Sequence, residues 1–151
     1  MILDQIKSVL ESVDGVGVVH GYVRWAPDWE KFLALFSENG KVNGWMISRQ
    51  SVTRHRTAYS EVQAAHIFVL TGIYGLNDAD ESELTFQGIL DSVQSAFAAD
   101  PTMGGACETI NPEVGAMNGQ YGLQIEMIEN RMFGSVLCHT AECRLCCIEL
   151  I

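Results

Sequence analysis

Positive charge is scarce in this chain: nine Lys and Arg stand against nineteen Asp and Glu in 151 residues, a formal net charge of -10. A surface of that sign repels a phosphate backbone, so general nucleic-acid binding is disfavoured. An unbroken apolar run is missing from the start of the chain, where MILDQIKSVLESVDG carries Asp4, Lys7 and Glu11 among its apolar positions. That pattern fits neither a secretory leader nor a spanning helix, and the expectation is a soluble protein made in the cytoplasm with no membrane partner. Also missing are G-x-S-x-G, the phosphate-loop pattern G-x-x-x-x-G-K-[ST] and H-E-x-x-H, while the glycines of GVGVVHG lack dinucleotide-binding spacing. No catalytic constellation and no cofactor are expected. Five cysteines is an odd number, and a chain that is 48% hydrophobic can build a core without disulfide staples, so reduced thiols are expected.

What is present reads as one domain. Ile2, Leu3, Ile6, Val9, Leu10 and Val13 recur at helical spacing and stop at Asp14-Gly15. GVGVVHGYVRW (15–25) predicts a short strand, and Pro27-Asp28 opens a helix through Trp29, Phe32, Leu33 and Phe36. Two strands over 42–53 and 61–74, joined by the polar RHRTAYS, predict a long hairpin. After the acidic run DADESE, a stripe of Phe86, Ile89, Leu90, Val93, Ala96 and Phe97 predicts a second long helix. Residues 100–122 are rich in glycine with two prolines and read as a long loop, with a short strand at ACETI. A strand over 121–129, a turn at NRMFG and a last strand complete the order α-β-α-β-β-α-β-β. The fold class is therefore α+β: an antiparallel sheet of two long hairpins packed against flanking helices, with no βαβ run.

The last strand, VLCHTAECRLCCIEL (136–150), holds four of the five cysteines and His139. Zinc needs four ligands converging on one point, usually from tight turns. Here strand periodicity sends Cys138 and Cys146 to one face and His139, Cys143 and Cys147 to the other, so the ligands diverge. Core cysteines are expected rather than a metal site, with Cys143→Ser close to silent. Glu142 and Arg144 are expected on a solvent or partner face. Cys107, in the loop, is the better nucleophile on exposure grounds, but has no base beside it in sequence. His66 is expected with Ala64, Phe68 and Leu70 in a core or subunit interface, His20 in a similar setting, and Trp25, Trp29 and Trp45 mostly in the core.

Charge is clustered. Arg49, Arg54, His55 and Arg56 crowd the tip of the first hairpin, and Asp78, Asp80, Glu81 and Glu83 crowd the turn before the long helix. A solvated hairpin end is the simple reading. The sharper one pairs the basic hairpin of one copy with the acidic turn of the next, a heterologous contact that closes a ring, or faces the arginines into a lumen through which nucleic acid passes.

Three phrases, GWMISR (44–49), HIFVLTGIYGLNDADESELTF (66–86) and RMFGSVLCHTAECRLCCIEL (131–150), together with the order of elements, resemble phage tail-terminator or tail-completion proteins. The resemblance implies a structural virion subunit without chemistry, assembling as a homo-oligomeric ring, a hexamer by that likeness. Its implied partners are the tail tube protein and the head-tail connector, with DNA passing through the lumen unread. Head-completion or neck proteins share this role, and a small cytosolic module binding through the 100–122 loop is the reading from a different class.

Overall fold

The computed structural model describes residues 1–57, 59–112 and 119–151. Helix α1 (Ile2–Glu11) buries Ile2, Ile6 and Leu10, the stripe its spacing demands, and the chain leaves it through Gly15 at φ 90°. Strand β1 is short (Val18–His20). Helix α2 (Trp29–Ala34) starts at Asp28, whose carboxylate accepts from the Lys31 N–H at 2.8 Å. That bond satisfies one of the free donors at a helix start. Asn39 and Gly40, at φ 52° and 77°, form the tight turn between β2 (Ser37–Glu38) and β3 (Lys41–Arg56). Asn-Gly is suited to it because both positions need positive φ.

The long hairpin is longer than its apolar pattern indicates. β3 runs to Arg56 and pairs with β4 (Val62–Gly75) down to Arg56–Val62. Arg54, His55 and Arg56 thus belong to a strand and not to the connection, because an edge strand tolerates charged side chains that project into water. A 3-10 turn (Asp78–Asp80) leads into α3 (Ser82–Ala99), which buries Phe86, Ile89, Leu90, Val93 and Phe97 as its stripe predicts. Strand β5 (Gln124–Phe133) absorbs most of the expected NRMFG turn, since only Gly134-Ser135, with Gly134 at φ 65°, separates it from β6 (Val136–Leu150).

The sheet order is β1-β3-β4-β6-β5, with β2 paired to β3. All long pairings are antiparallel, and the architecture is α+β with helices flanking the sheet. One expectation is overturned: β1 lies parallel to β3, with Val19 opposite Trp45, so β1, α2 and β3 form a small crossover unit. The contact is close enough that a Cβ at Gly17 would fall on the Asn43 carbonyl, and the Asn43 amide donates to the Gly15 carbonyl at 2.7 Å.

The two faces of the sheet are unequal. Helices α1 and α3 cover one, enclosing Trp45, Ile47, Phe68, Leu70, Ala141, Cys143, Leu145 and Cys147. The other receives only α2, over a small cluster of Leu33, Phe36, Ile73, Phe133 and Cys138. Cys146 and Ile148 form a third patch with Ala65 and Ile67. The cysteines of β6 accordingly serve three separate packing clusters, as strand alternation requires.

Cys143 is fully buried among apolar neighbours, and burial pushes its thiol up to about 12. The burial argues against a silent serine there, the outcome that the sequence reading expects, because a hydroxyl moved into an apolar core costs free energy unless it is hydrogen-bonded. We expect Cys143→Ser to cost about 1–3 kcal/mol and Cys143→Ala to be milder, measured by urea unfolding. Equal stability of the serine variant and the parent would contradict this packing.

Part of the glycine-rich loop closes the main core. Met103, Cys107 and Ile110 are buried, so Cys107 is not the exposed loop thiol that its sequence setting suggests. The anticipated strand at ACETI is a single bridge: Glu108 N–H donates to the Ile148 carbonyl at 2.7 Å and Ile148 N–H to the Thr109 carbonyl at 2.9 Å. Residues 113–118 lie outside the described residues. Among the described residues no helix is long and apolar enough to cross a membrane.

Candidate functional site

The basic cluster lies along the outer half of β3. Arg49, Arg54 and Arg56 are exposed and make no ion pair among the described residues. Their cross-strand partners are Phe68, Ala64 and Val62, which puts the three arginines on the face that α1 and α3 cover further along. A bulge between Arg49 and Ser51 keeps Arg49 in phase with Arg54, and His55 points to the opposite face. Here His66 is buried as expected, with its Nε2 3.2 Å from Glu149 Oε1. Arg49, Arg54, His66 and Glu149 line a shallow depression of about 500 Å³. His20 is satisfied too, by the Leu35 carbonyl at 2.6 Å and Arg24 at 3.1 Å.

The acidic cluster sits at the other end of the hairpin. Asp78, Asp80, Glu81 and Glu83 follow directly on β4, while Arg56 pairs with its first residue. At about 3.3 Å per residue, β4 sets Arg56 roughly 40 Å from the acidic turn, while Arg49, opposite Phe68, lies about half as far away. The structure therefore does not bring the two predicted clusters together within one copy. It sets Arg54, His55 and Arg56 at one end of the hairpin and the acidic turn at the other.

A buried relay fixes the acidic pole. The Asn77 N–H donates to Ser82 Oγ at 2.8 Å, Ser82 Oγ lies 2.8 Å from His139 Nε2, and His139 Nδ1 lies 2.8 Å from Asn130 Oδ1. With Asn130 Oδ1 able only to accept, His139 carries its proton on Nδ1 and Nε2 accepts from the serine hydroxyl. Serine, histidine and asparagine in this order imitate a nucleophile relay. Ser82 and His139 are buried, however, and the serine oxygen is already held by the Asn77 N–H. The arrangement suits positioning, not attack. It ties the start of α3 to β5 and β6, and Asn77 also holds Asp80 through Nδ2 at 2.7 Å. Glu81, in the left-handed region at φ 55°, turns the chain from this platform into the helix. Sequence reading missed the relay because its members lie 57 and 9 residues apart.

A second feature without a sequence signal is a groove of about 790 Å³ on the less covered sheet face. Its floor includes Met46, Thr71 and Met127, and its wall is the Val23–Asp28 segment with Trp29 and Phe32. Trp25 is 84% exposed and Trp29 52%, against the expectation that the tryptophans are mostly core; only Trp45, at 1%, is. Trp29 is held where it is by the β5–β6 turn, since a Cβ at Gly134 would come within 2.9 Å of its side chain. Such a wall offers aromatic surface beside the charges of Arg24, Glu129, Arg131 and Glu142.

Glu142 is exposed as expected, whereas Arg144 is half-buried, donating to Gln50 Oε1 at 2.6 Å and lying 3.6 Å from Glu126. Cys147, hydrogen-bonded to Cys107 and buried, has its thiol pushed up, and the same bond lowers Cys107. Burial raises Cys138 and Cys146. Among the described residues no group of three or more His, Cys, Asp or Glu is placed to hold a metal. No family model matches this chain, and no curated protein matches it.

Proposed function

We propose that the protein is a structural virion-assembly subunit that forms a ring at the head-proximal end of a phage tail, in the manner of tail-terminator or tail-completion proteins. The observation that carries this reading is the polarity of the subunit: exposed arginines along the outer half of the long hairpin, without an ion pair among the described residues, and an acidic turn held by hydrogen bonds at its other end. A ring of such subunits has a basic rim and an acidic rim, which suits a part placed between two different partners, the tail tube on one side and the head-tail connector on the other. The function lies in these surfaces and not in bond-making chemistry. Arg49, Arg54 and Arg56, with His55 on the other side of the same strand, form one docking region, and Asp78, Asp80, Glu81 and Glu83 the other. On this reading the protein is made in the host cytoplasm and resides in the virion, and DNA passes its lumen without being read.

Native mass measured by light scattering at low and high salt, with and without purified tail tubes, tests the proposal. We expect a ring-sized species, and binding of that species to tube ends that weakens as salt screens the rims. Binding to connectors in place of tubes would assign the neck role instead. A strict monomer in every condition, tubes included, would overturn the reading.

A further inference from the structure

We infer that Cys107 and Cys147 are a disulfide site, a thiol pair that low-molecular-weight disulfides close into a cross-link between the glycine-rich segment and the last strand. The inference does not depend on the ring reading. Both thiols are free and belong to the main core, Cys147 fully buried and Cys107 at 8% exposure, the largest value among the five cysteines.

Backbone pairing brings the segment against β6. The Glu108 N–H donates to the Ile148 carbonyl and the Ile148 N–H to the Thr109 carbonyl, which sets the chain neighbours of the two cysteines side by side. Beyond that antiparallel bridge Ile110 comes alongside Cys147, and the Pro101 carbonyl that accepts the Ile110 N–H at 2.8 Å also lies 3.9 Å from Cys107 Sγ. The two sulfurs are in hydrogen-bond contact, with Cys147 donating to Cys107. Cys146, adjacent in sequence, projects to the opposite face of β6 with Ile148.

Access and acidity fall on the same sulfur. The bond from Cys147 lowers the Cys107 thiol against the opposing effect of burial, so Cys107 is the first to form an attacking thiolate. That thiolate attacks one sulfur of the small disulfide, forming a mixed disulfide and releasing one small thiolate. The Cys147 sulfur, losing its proton, then attacks Cys107 Sγ, and the second small thiolate leaves. Two protein thiols are thereby oxidised by two electrons, and the small disulfide is reduced to two thiols that carry away both protons. The carboxylates of Asp100, Glu108 and Glu149 act on Cys107, so a cationic disulfide such as cystamine is favoured over the anionic glutathione disulfide. The cross-link closes about 40 residues of chain and so restricts the unfolded state, while it reinforces the two backbone bonds at Ile148.

Reduced full-length protein treated with cystamine tests this. Trypsin cuts after Arg56, Arg131 and Arg144, which separates Cys107 (57–131) from Cys138 and Cys143 (132–144) and from Cys146 and Cys147 (145–151). We expect an intact mass lower by two hydrogens, a link between 57–131 and 145–151 in unreduced digests, a urea midpoint that rises and is restored by dithiothreitol, and slower reaction with glutathione disulfide. The link should survive in Cys146→Ala and be lost in Cys147→Ala, which keeps the small thiol on Cys107 instead. Should Cys147→Ala not fold, Cys107→Ala is expected to abolish both the mass loss and the rise in midpoint. A link that persists in Cys147→Ala, a link to 132–144, a disulfide within 145–151, a mixed disulfide that never resolves or an unreacted protein would each overturn the assignment.

Discussion

Trp45→Ala is expected to lower the stability of the protein by about 3–5 kcal/mol, the range for removing a large aromatic side chain from a core. The indole is 1% exposed in the main core, and β4 makes room for it by placing Gly72 directly opposite. A Cβ added at Gly72 would lie 2.7 to 2.9 Å from three atoms of the indole, and real Cβ atoms do not approach ring atoms so closely. Gly72→Ala is therefore expected to be costly in the parent and less so in a Trp45→Leu background, a non-additivity that only direct contact produces. Urea unfolding of the four proteins measures it. Additive losses would mean that the two residues do not meet across the hairpin.

His139→Ala is the second large effect, expected at roughly 3 kcal/mol, because it removes two hydrogen bonds, leaves the buried Ser82 Oγ with the Asn77 N–H as its remaining partner, and opens a cavity beside Phe86. The loss should be local before it is global. Amide exchange over residues 77–82 should accelerate more than exchange in the centre of β4, and, on the function proposed above, tube or connector binding through the acidic turn should weaken even where the protein is still folded. An unchanged exchange pattern at that turn would show that the relay does not hold the acidic pole.

These two residues illustrate different degrees of legibility. The stripes of α1 and α3 and the strand character of VLCHTAECRLCCIEL follow from spacing alone, because periodicities of 3.6 and 2 are local properties of the chain. His66 falls where its alternation puts it, with Ala64 and Phe68. The ends of the elements were less legible. Arg54–Arg56 and Asn130–Phe133 read as connections because they are polar or mixed, yet a strand at the rim of a sheet carries such residues without loss. Trp25 and Trp29 were misplaced for a related reason: hydrophobicity predicts burial only when some other element arrives to cover the ring, and over that face α2 is short.

By itself, the sequence determined the fold class, the order of the long elements, the divergent facing of the β6 cysteines, and the presence of two charge clusters of opposite sign. Each depends on neighbours a few residues apart or on composition. Only the tertiary structure decided that β1 adds in parallel beside β3, that Arg54–Arg56 and the acidic turn stand at opposite ends of the hairpin, and that Ser82, His139 and Asn130 form one relay. Those are consequences of strand order and register, in which residues far apart in the chain become neighbours through hydrogen bonds that any sequence can make, so no local pattern of side chains announces them.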